Sequence, residues 1–147
     1  KALADFNRSI KLEAKDAWAI AQRGSTYRSM EQYEKALADF SRAIELDAED
    51  TTAHLSLIVC YRKLGRMEEY RQQIEIARGM FEKVTAYNRA CFAAVCGNTE
   101  NALALLRAAL ESKEQSIEWA RTDPDFDLLR EDPRFEALLD EMATPLN

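Results

Sequence analysis

The stretch KALADFSRAIELDAED, Lys35–Asp50, decides the fold because it nearly copies KALADFNRSIKLEAKD, Lys1–Asp16. The two segments agree at eleven of sixteen positions, with a constant offset of 34 residues. A period of this length is typical of arrays in which each repeat is a pair of helices. The repeat therefore predicts an all-α chain built from helical hairpins.

The composition agrees with a helical domain and limits the classes of partner. The 147 residues are 47% hydrophobic and include only four glycines and three prolines, so a core can form and helices meet few breakers. The net charge of −6 argues against general binding to nucleic acid or anionic membranes, since both reward a basic surface. The longest uncharged run, TTAHLSLIVCY, is shorter than the roughly 20 residues of a membrane-spanning helix. We expect neither nucleic acid nor membrane as a partner.

The three cysteines, Cys60, Cys91 and Cys96, indicate a reducing compartment. Their odd number and lack of a framework spacing fit free thiols better than disulfides. Cys91 and Cys96 would lie about 140° apart around a helix, so they do not form a ready pair of metal ligands. We expect a cytoplasmic protein with no metal and no cofactor.

Two hairpins can be drawn from the apolar spacing. AWAIAQRGSTYRSM, from Ala17, is followed by EQYEKALADFSRAIEL, whose apolar residues recur at i, i+3, i+4 and i+7. The next helix, AHLSLIVCYRKLG, can be capped by Thr51 or Thr52 and closed by Gly65, and MEEYRQQIEIARGMF is its partner.

The first complete hairpin resembles the tetratricopeptide repeat (TPR) family, whose 34-residue unit is two antiparallel helices, A and B. The family's G-x-x-Y is Gly24 to Tyr27, its A-x-x-x-F is Ala36 to Phe40, and its later small position is Ala43. Gly24 and Ala36 would let the two helices approach closely, while Tyr27 and Phe40 would fill the space between hairpins. The resemblance implies a TPR helical-hairpin solenoid.

The family pattern fades along the chain. In the first repeat the usual Trp is Ile20, the usual Leu is Arg23 and the closing Pro is Ala48, and the spacing from Gly65 to Gly97 shortens to 32. We predict a single TPR domain over 1–147, in five parts. These are a half repeat with helix B only (1–16), two repeats (17–50 and 51–82), a degenerate repeat (83–113) and capping helices (114–147). The half repeat predicts that the chain is part of a larger protein, which we expect to be bacterial.

The C-terminal part carries the pattern D-P-x-F-x-x-L twice. Asp123-Pro124 and Asp132-Pro133 each combine an N-cap residue with a proline at the first helical position, so each should open a short helix. The following Phe and Leu fall on one face and can cover the last repeat. The segment is similar to the terminal caps of many bacterial TPR proteins.

Function has to be inferred from a surface. The three predicted A-helix segments contain seven Lys or Arg and no Asp or Glu, whereas the rest of the chain has thirteen against twenty-six. The resemblance implies that these helices line a concave groove. Its predicted peptide-binding residues are Trp18, Ala21, Ser25, Arg28, Leu55, Val59, Arg62, Lys63, Tyr87 and Cys91. We expect a module that binds a peptide segment of a partner protein, of acidic character, with Arg28 and Arg62 pairing its carboxylates.

Three alternatives compete with this groove. Arg28, Arg62 and Lys63 lie near helix C-termini, where cations offset the helix dipole by about 0.3 to 1 kcal/mol each. The chain can also be a structural or self-association element of a larger protein, acting through the N-terminal half repeat without a peptide ligand. An enzyme is not expected, because His54 is the only histidine and no phosphate-binding or nucleophile motif is present.

Overall fold

The computed structural model describes residues 2–13 and 15–144. Lys1, Ala14 and residues 145–147, which belong to the predicted half repeat and the predicted cap, lie outside the described residues. Within the described residues the chain is helical and forms no strand, which confirms the all-α prediction. The α-helices there are α1 (Ala2–Leu12), α2 (Ala17–Ser29), α3 (Tyr33–Leu46), α4 (Thr51–Lys63), α5 (Met67–Arg78), α6 (Ala86–Val95), α7 (Thr99–Glu111), α8 (Ile117–Thr122) and α9 (Pro133–Ala143). Short 3-10 turns occupy Gly79–Phe81, Pro124–Phe126 and Leu129–Glu131.

Two aspartates one repeat apart begin equivalent helices. Asp16 and Asp50 each accept a hydrogen bond from the amide three residues later, at 3.0 and 3.1 Å, at the starts of α2 and α4. The expectation that Thr51 or Thr52 caps α4 was wrong. Because α4 already begins at Thr51, the capping side chain has to come from the residue before it.

Glycines shape the turns that end two A helices. Gly65 follows the C-cap of α4 with φ +74°, and Gly97 follows the C-cap of α6 with φ +81°. A left-handed residue at this place is most easily a glycine, because it has no Cβ to clash with the backbone. The predicted turn at Gly65 is confirmed, and Gly97 forms the equivalent turn after α6.

The chain divides between Arg78 and Gly79 into two compact units. In the first unit α2 and α3 form a helical hairpin, α3 also packs on α4, and α4 packs on α5. A Cβ placed on Gly24 of α2 would lie 3.1 Å from Cβ of Asp39 and 3.1 Å from the ring of Phe40. The predicted close approach of α2 and α3 at this glycine is confirmed.

Arg23, where the family usually has leucine, holds three helices of the first unit together. Its Nη2 and Nε donate to the two carboxylate oxygens of Asp39 on α3, at 2.7 and 2.8 Å. Its Nη1 donates to Oδ1 of Asn7 on α1, at 2.9 Å. The hydrogen bonds that Arg23 donates to the buried carboxylate of Asp39 raise the pKa of Arg23. A departure from the family pattern thus serves as an interhelical ion pair.

In the second unit α6 and α7 form a hairpin, and the C-terminal segments pack on it. The Pro124–Phe126 turn lies on α6, and α9 lies on α7. Phe126 and Phe135 are fully buried, with ring centroids 5.8 Å apart. The side chains of Asp123 and Asp132 cap these helices, because each accepts a hydrogen bond from the amide two residues later, which confirms both predicted helix starts. That this segment terminates the repeat array stays a prediction.

Candidate functional site

Half of the predicted groove residues are packed inside their units. Ala21, Leu55, Val59, Tyr87 and Cys91 are between 2% and 7% exposed. A peptide could touch no more than an edge of these side chains. The apolar floor expected from the sequence is therefore largely closed in this structure.

The other half is accessible, and most of it is basic. Trp18 is 66% exposed, Lys63 is exposed, and Ser25, Arg28 and Arg62 are half-buried. All five lie on α2 and α4 of the first unit. We use the term basic surface for Arg28, Arg62 and Lys63, which occupy the last turns of these two helices.

Arg28 connects the two helices that carry the basic surface. Its Nη1 donates to Oγ of Ser56 on α4 at 3.2 Å, and Ser56 is buried. The positive charge of Arg28 also acts to lower the pKa of the Cys60 thiol. Burial has the larger effect and raises this pKa to about 11. This cysteine is consequently an inert, protonated thiol at neutral pH.

Arg62 contributes an unsatisfied donor to the basic surface. Its Nε is buried and has no hydrogen-bond partner, and it is the one buried side-chain N or O atom of this kind within residues 2–13 and 15–144. Leaving a buried donor without an acceptor costs about 1 to 3 kcal/mol. Because this nitrogen is buried, a ligand carboxylate would have to meet the other guanidinium nitrogens of Arg62, whose side chain is half-buried.

Four of the seven cations of the A-helix segments differ in whether they form ion pairs. Arg23 and Arg66 are paired inside the first unit, with Asp39 and Glu34 respectively. Arg62 and Lys63 form no ion pair with any residue that the structure describes. Arg62 and Lys63 therefore give α4 positive charge that is available to a partner, and Lys83 and Arg89 are exposed on the second unit.

Tyr87 and Cys91 of the second unit face the chain's own C-terminal segment. The hydroxyl of Tyr87 donates to Oδ2 of Asp123 at 2.8 Å, and Sγ of Cys91 lies 3.9 Å from the same oxygen. The ring of Phe126 meets the ring of Tyr87 edge-on, at a centroid distance of 5.5 Å. Burial and then the Asp123 hydrogen bond raise the pKa of Tyr87 well above its usual value. Sequence reasoning treated Asp123 only as a helix cap, and nothing local links it to a tyrosine 36 residues away.

Cys91, Asp123 and Asp125 bring three potential metal-ligand atoms within 4.8 Å of one another. The two oxygens of Asp123 are already engaged, one with the amide of Asp125 and the other with Tyr87. Because the hydrogen bonds account for the buried carboxylate, we interpret the cluster as a structural link between α6 and the C-terminal segment.

His54 is similarly engaged by its own unit. Its Nε2 lies 2.9 Å from the carbonyl oxygen of Ala48, and its Nδ1 lies 2.7 Å from Nε2 of Gln73. The ring therefore donates through Nε2 and accepts through Nδ1, and it is buried. Both ring nitrogens are used in hydrogen bonds within the first unit, which agrees with the expectation that this histidine is not a catalytic base.

None of the described helices is long and apolar enough to cross a membrane. Stacked helical hairpins with an accessible basic surface define the class of protein: a helical-repeat module of the kind that binds other proteins. The sequence profile of the tetratricopeptide repeat family matches residues 16–90, and the chain belongs to this family. A search of curated proteins gives no match. Family membership supports a general role in protein–protein interaction, and it fits a protein that is not an enzyme.

Proposed function

We propose that the chain binds an acidic peptide segment of a partner protein on the basic surface of the first unit. The observation that carries this proposal is that half-buried Arg62 and exposed Lys63 form no ion pair with any residue that the structure describes. Arg62 would supply the main contact to a ligand carboxylate, since its guanidinium can donate two parallel hydrogen bonds. Lys63 and Arg28 would add positive charge on either side.

Trp18 gives the same face an apolar contact. It is 66% exposed at the start of α2, and Arg28 lies ten residues further along the helix. At 1.5 Å per residue their backbones are about 15 Å apart along the axis, a span that an extended peptide of about five residues covers. We expect an acidic ligand with an apolar residue about five positions from its carboxylate, resting on the indole. Half-buried Ser25 would contact the peptide, and the buried Ala21, Leu55 and Val59 would lie beneath it.

The helix-dipole alternative also places cations at these helix ends, so the test has to separate the two explanations. The full chain is screened against a phage library of random 12-residue peptides, and the enriched sequences are synthesised for fluorescence-anisotropy titrations. We expect the enriched peptides to carry Asp or Glu and to bind more weakly as salt increases. Arg62→Glu should weaken binding roughly 10- to 100-fold, the loss of a charge-assisted hydrogen bond of about 1.5 to 3 kcal/mol.

Lys11→Glu is the matched control. Lys11 is exposed in the last turn of α1, so the substitution changes the same net charge at another helix C-terminus, away from the basic surface. We expect it to change the affinity less than twofold. Enriched peptides without acidic residues, or an Arg62→Glu variant that binds as tightly as the Lys11→Glu variant, would refute the proposal.

A structural element without a peptide ligand is the second candidate, favoured by the closed apolar floor and by exposed Trp18 and Leu12 on the first unit. It predicts self-association, which light scattering coupled to size-exclusion chromatography measures directly. A mass of one chain at high concentration would contradict it. In either case Cys60, Cys91 and Cys96 form no disulfide with one another, which supports the proposal that the protein acts in the cytoplasm.

A further inference from the structure

Helices α7 and α9 of the second unit lie side by side and run in the same direction. Glu100 of α7 pairs with Arg134 of α9, and Arg107 of α7 pairs with Glu141 of α9. Both pairs join residues that are 34 positions apart, so the two helices advance together. Within each helix the two charged residues are seven positions apart, which puts them on the same face, about 10.5 Å from each other along the axis.

A groove of about 400 Å³ lies between the two ion pairs. Its apolar floor is formed by Leu103 and Ala104 of α7 and by Ala137 and Leu138 of α9. Both alanines are exposed, while Leu103 is half-buried and Leu138 is 5% exposed. The face formed by α7 and α9 therefore has short side chains at its centre and long charged side chains at its two ends.

The signs of the four charged residues alternate around the groove, because α7 carries Glu before Arg and α9 carries Arg before Glu. An acidic ligand would meet Glu100 and Glu141, and a basic ligand would meet Arg107 and Arg134. Asp132 also pairs with Arg134, but it lies before α9 and outside the groove lining. A ligand that sets an opposite charge against all four residues has to carry the same alternation, and a second copy of this face carries it.

We propose that the face formed by α7 and α9 binds a second copy of itself, with α7 antiparallel to α7 of the other copy and α9 antiparallel to α9. In this arrangement Glu100 of each copy faces Arg107 of the other, and Arg134 of each copy faces Glu141 of the other. The antiparallel direction also opposes the dipoles of the facing helices. Because the contact uses the same surface on both copies, it closes as a two-fold dimer.

The size of the face predicts a weak dimer. Helix α7 has 13 residues and is about 20 Å long, and two packed helices are about 20 Å across. The contact would bury about 400 Å² on each copy and about 800 Å² in total, less than the roughly 1,200 Å² at which stable interfaces begin. We expect a reversible dimer that forms at micromolar or higher chain concentration.

Sedimentation equilibrium of the full chain measures this association directly. The variant Arg107→Glu with Glu141→Arg keeps the net charge and the ion pair within the chain, but in the dimer it sets acids against acids along α7 and bases against bases along α9. We expect it to associate at least about tenfold more weakly. The matched control, Arg42→Glu with Glu45→Arg, swaps an exposed ion pair of α3 in the first unit and should associate like the wild-type chain.

Complementation tests the antiparallel register. The variant Glu100→Arg with Arg134→Glu should also lose self-association. The two swapped chains carry opposite charges along each facing helix, so their equimolar mixture should form a heterodimer of about wild-type affinity. Ala104→Gln tests the centre of the groove without changing a charge, and it should weaken association about tenfold because its side chain would crowd Leu103 of the other copy. Circular dichroism checks that every variant keeps its helicity.

A mass of one chain at millimolar concentration would overturn the inference. Association that survives the Arg107→Glu and Glu141→Arg swap or the Ala104→Gln variant would overturn it as well, and so would the absence of a heterodimer. Association that is lost when Leu12 and Trp18 are replaced by serine would assign the contact to the first unit instead. The face includes no residue of the basic surface, so the swapped chain should bind acidic peptides like wild type, and the two proposals fail independently.

Discussion

The Arg23–Asp39 pair should contribute a measurable coupling energy to the stability of the first unit. Both oxygens of the buried carboxylate accept from the guanidinium, at 2.7 and 2.8 Å, and the side chain of Arg23 is 25% exposed while that of Asp39 is 7% exposed. Arg23→Leu restores the residue that the family usually has at this position. It also leaves a buried carboxylate without a cation.

The expected cost follows from that burial. Removing one partner of a buried ion pair costs about 3 to 5 kcal/mol, and the partial exposure of Arg23 reduces this to about 2 to 3 kcal/mol for Arg23→Leu. Asp39→Ala should cost about 1 to 2 kcal/mol, because the released guanidinium can reach water. The double variant replaces both charges by apolar groups and should cost about 1 to 2 kcal/mol. The double-mutant cycle formed by these variants then gives a coupling energy of about 2 kcal/mol between the two side chains.

Urea unfolding measures these four free energies. Trp18 lies in the first unit and Trp119 in the second, so the cycle is made in a Trp119→Phe background, where the remaining indole reports on the first unit alone. This matters because two units can unfold in separate transitions, and a single free energy would then be undefined. Far-ultraviolet circular dichroism gives an independent record of helix loss.

A coupling energy below about 0.5 kcal/mol would refute the reasoning, since independent sites already add within that margin. An Arg23→Leu variant more stable than wild type would refute it as well. That result would mean that Asp39 finds water or another donor once the arginine is gone.

Three further predictions concern single positions. Gly24→Val should destabilise the first unit by about 1 to 3 kcal/mol, because its Cβ would crowd the facing helix at 3.1 Å, whereas Gly79→Val, with open space around it, should cost less. Tyr87→Phe should destabilise the second unit by about 1 to 3 kcal/mol in urea, since buried Asp123 loses a donor; no change would show that the hydrogen bond is dispensable. Arg134 holds the pKa of the Asp132 carboxyl at about 2, below its ordinary 3.8. The ionised carboxylate therefore stabilises the folded chain above about pH 4, and this contribution is lost towards pH 2. Asp132→Asn should flatten that part of the stability–pH profile, and an unchanged profile would contradict the assignment.

The hairpin fold could be predicted because the residue types at a few positions of the repeat determine how its two helices pack. Gly24 and Phe40 match the family pattern, and they meet in the structure as that pattern requires. The pair formed by Arg23 and Asp39 was missed because each residue was considered within its own helix. Arg23 and Asp39 directly precede Gly24 and Phe40, and the close approach of the helices at that glycine and phenylalanine brings the two opposite charges within reach of each other.

The candidate site was less predictable than the fold. Family position indicated which side of each helix Leu55 and Val59 occupy, but their exposure depends on side chains from other helices, which no local pattern encodes. Tyr87 shows the same limit, because its cover comes from Asp123 and Phe126, beyond the next hairpin. The exposure of Lys63 followed from its charge, but charge alone did not show that Arg62 is half-buried or that Arg23 is paired with Asp39.

The Tyr87–Asp123 hydrogen bond also has a consequence during synthesis. The donor and acceptor are 36 residues apart, and translation at about 5 to 20 residues per second separates their appearance by about 2 to 7 seconds. During that interval the face of α6 that carries Tyr87 and Cys91 has no Phe126 to cover it. The nascent chain therefore presents an apolar helix face to the cell before it can complete its second unit, and chaperones that recognise such faces have a defined time in which to bind it.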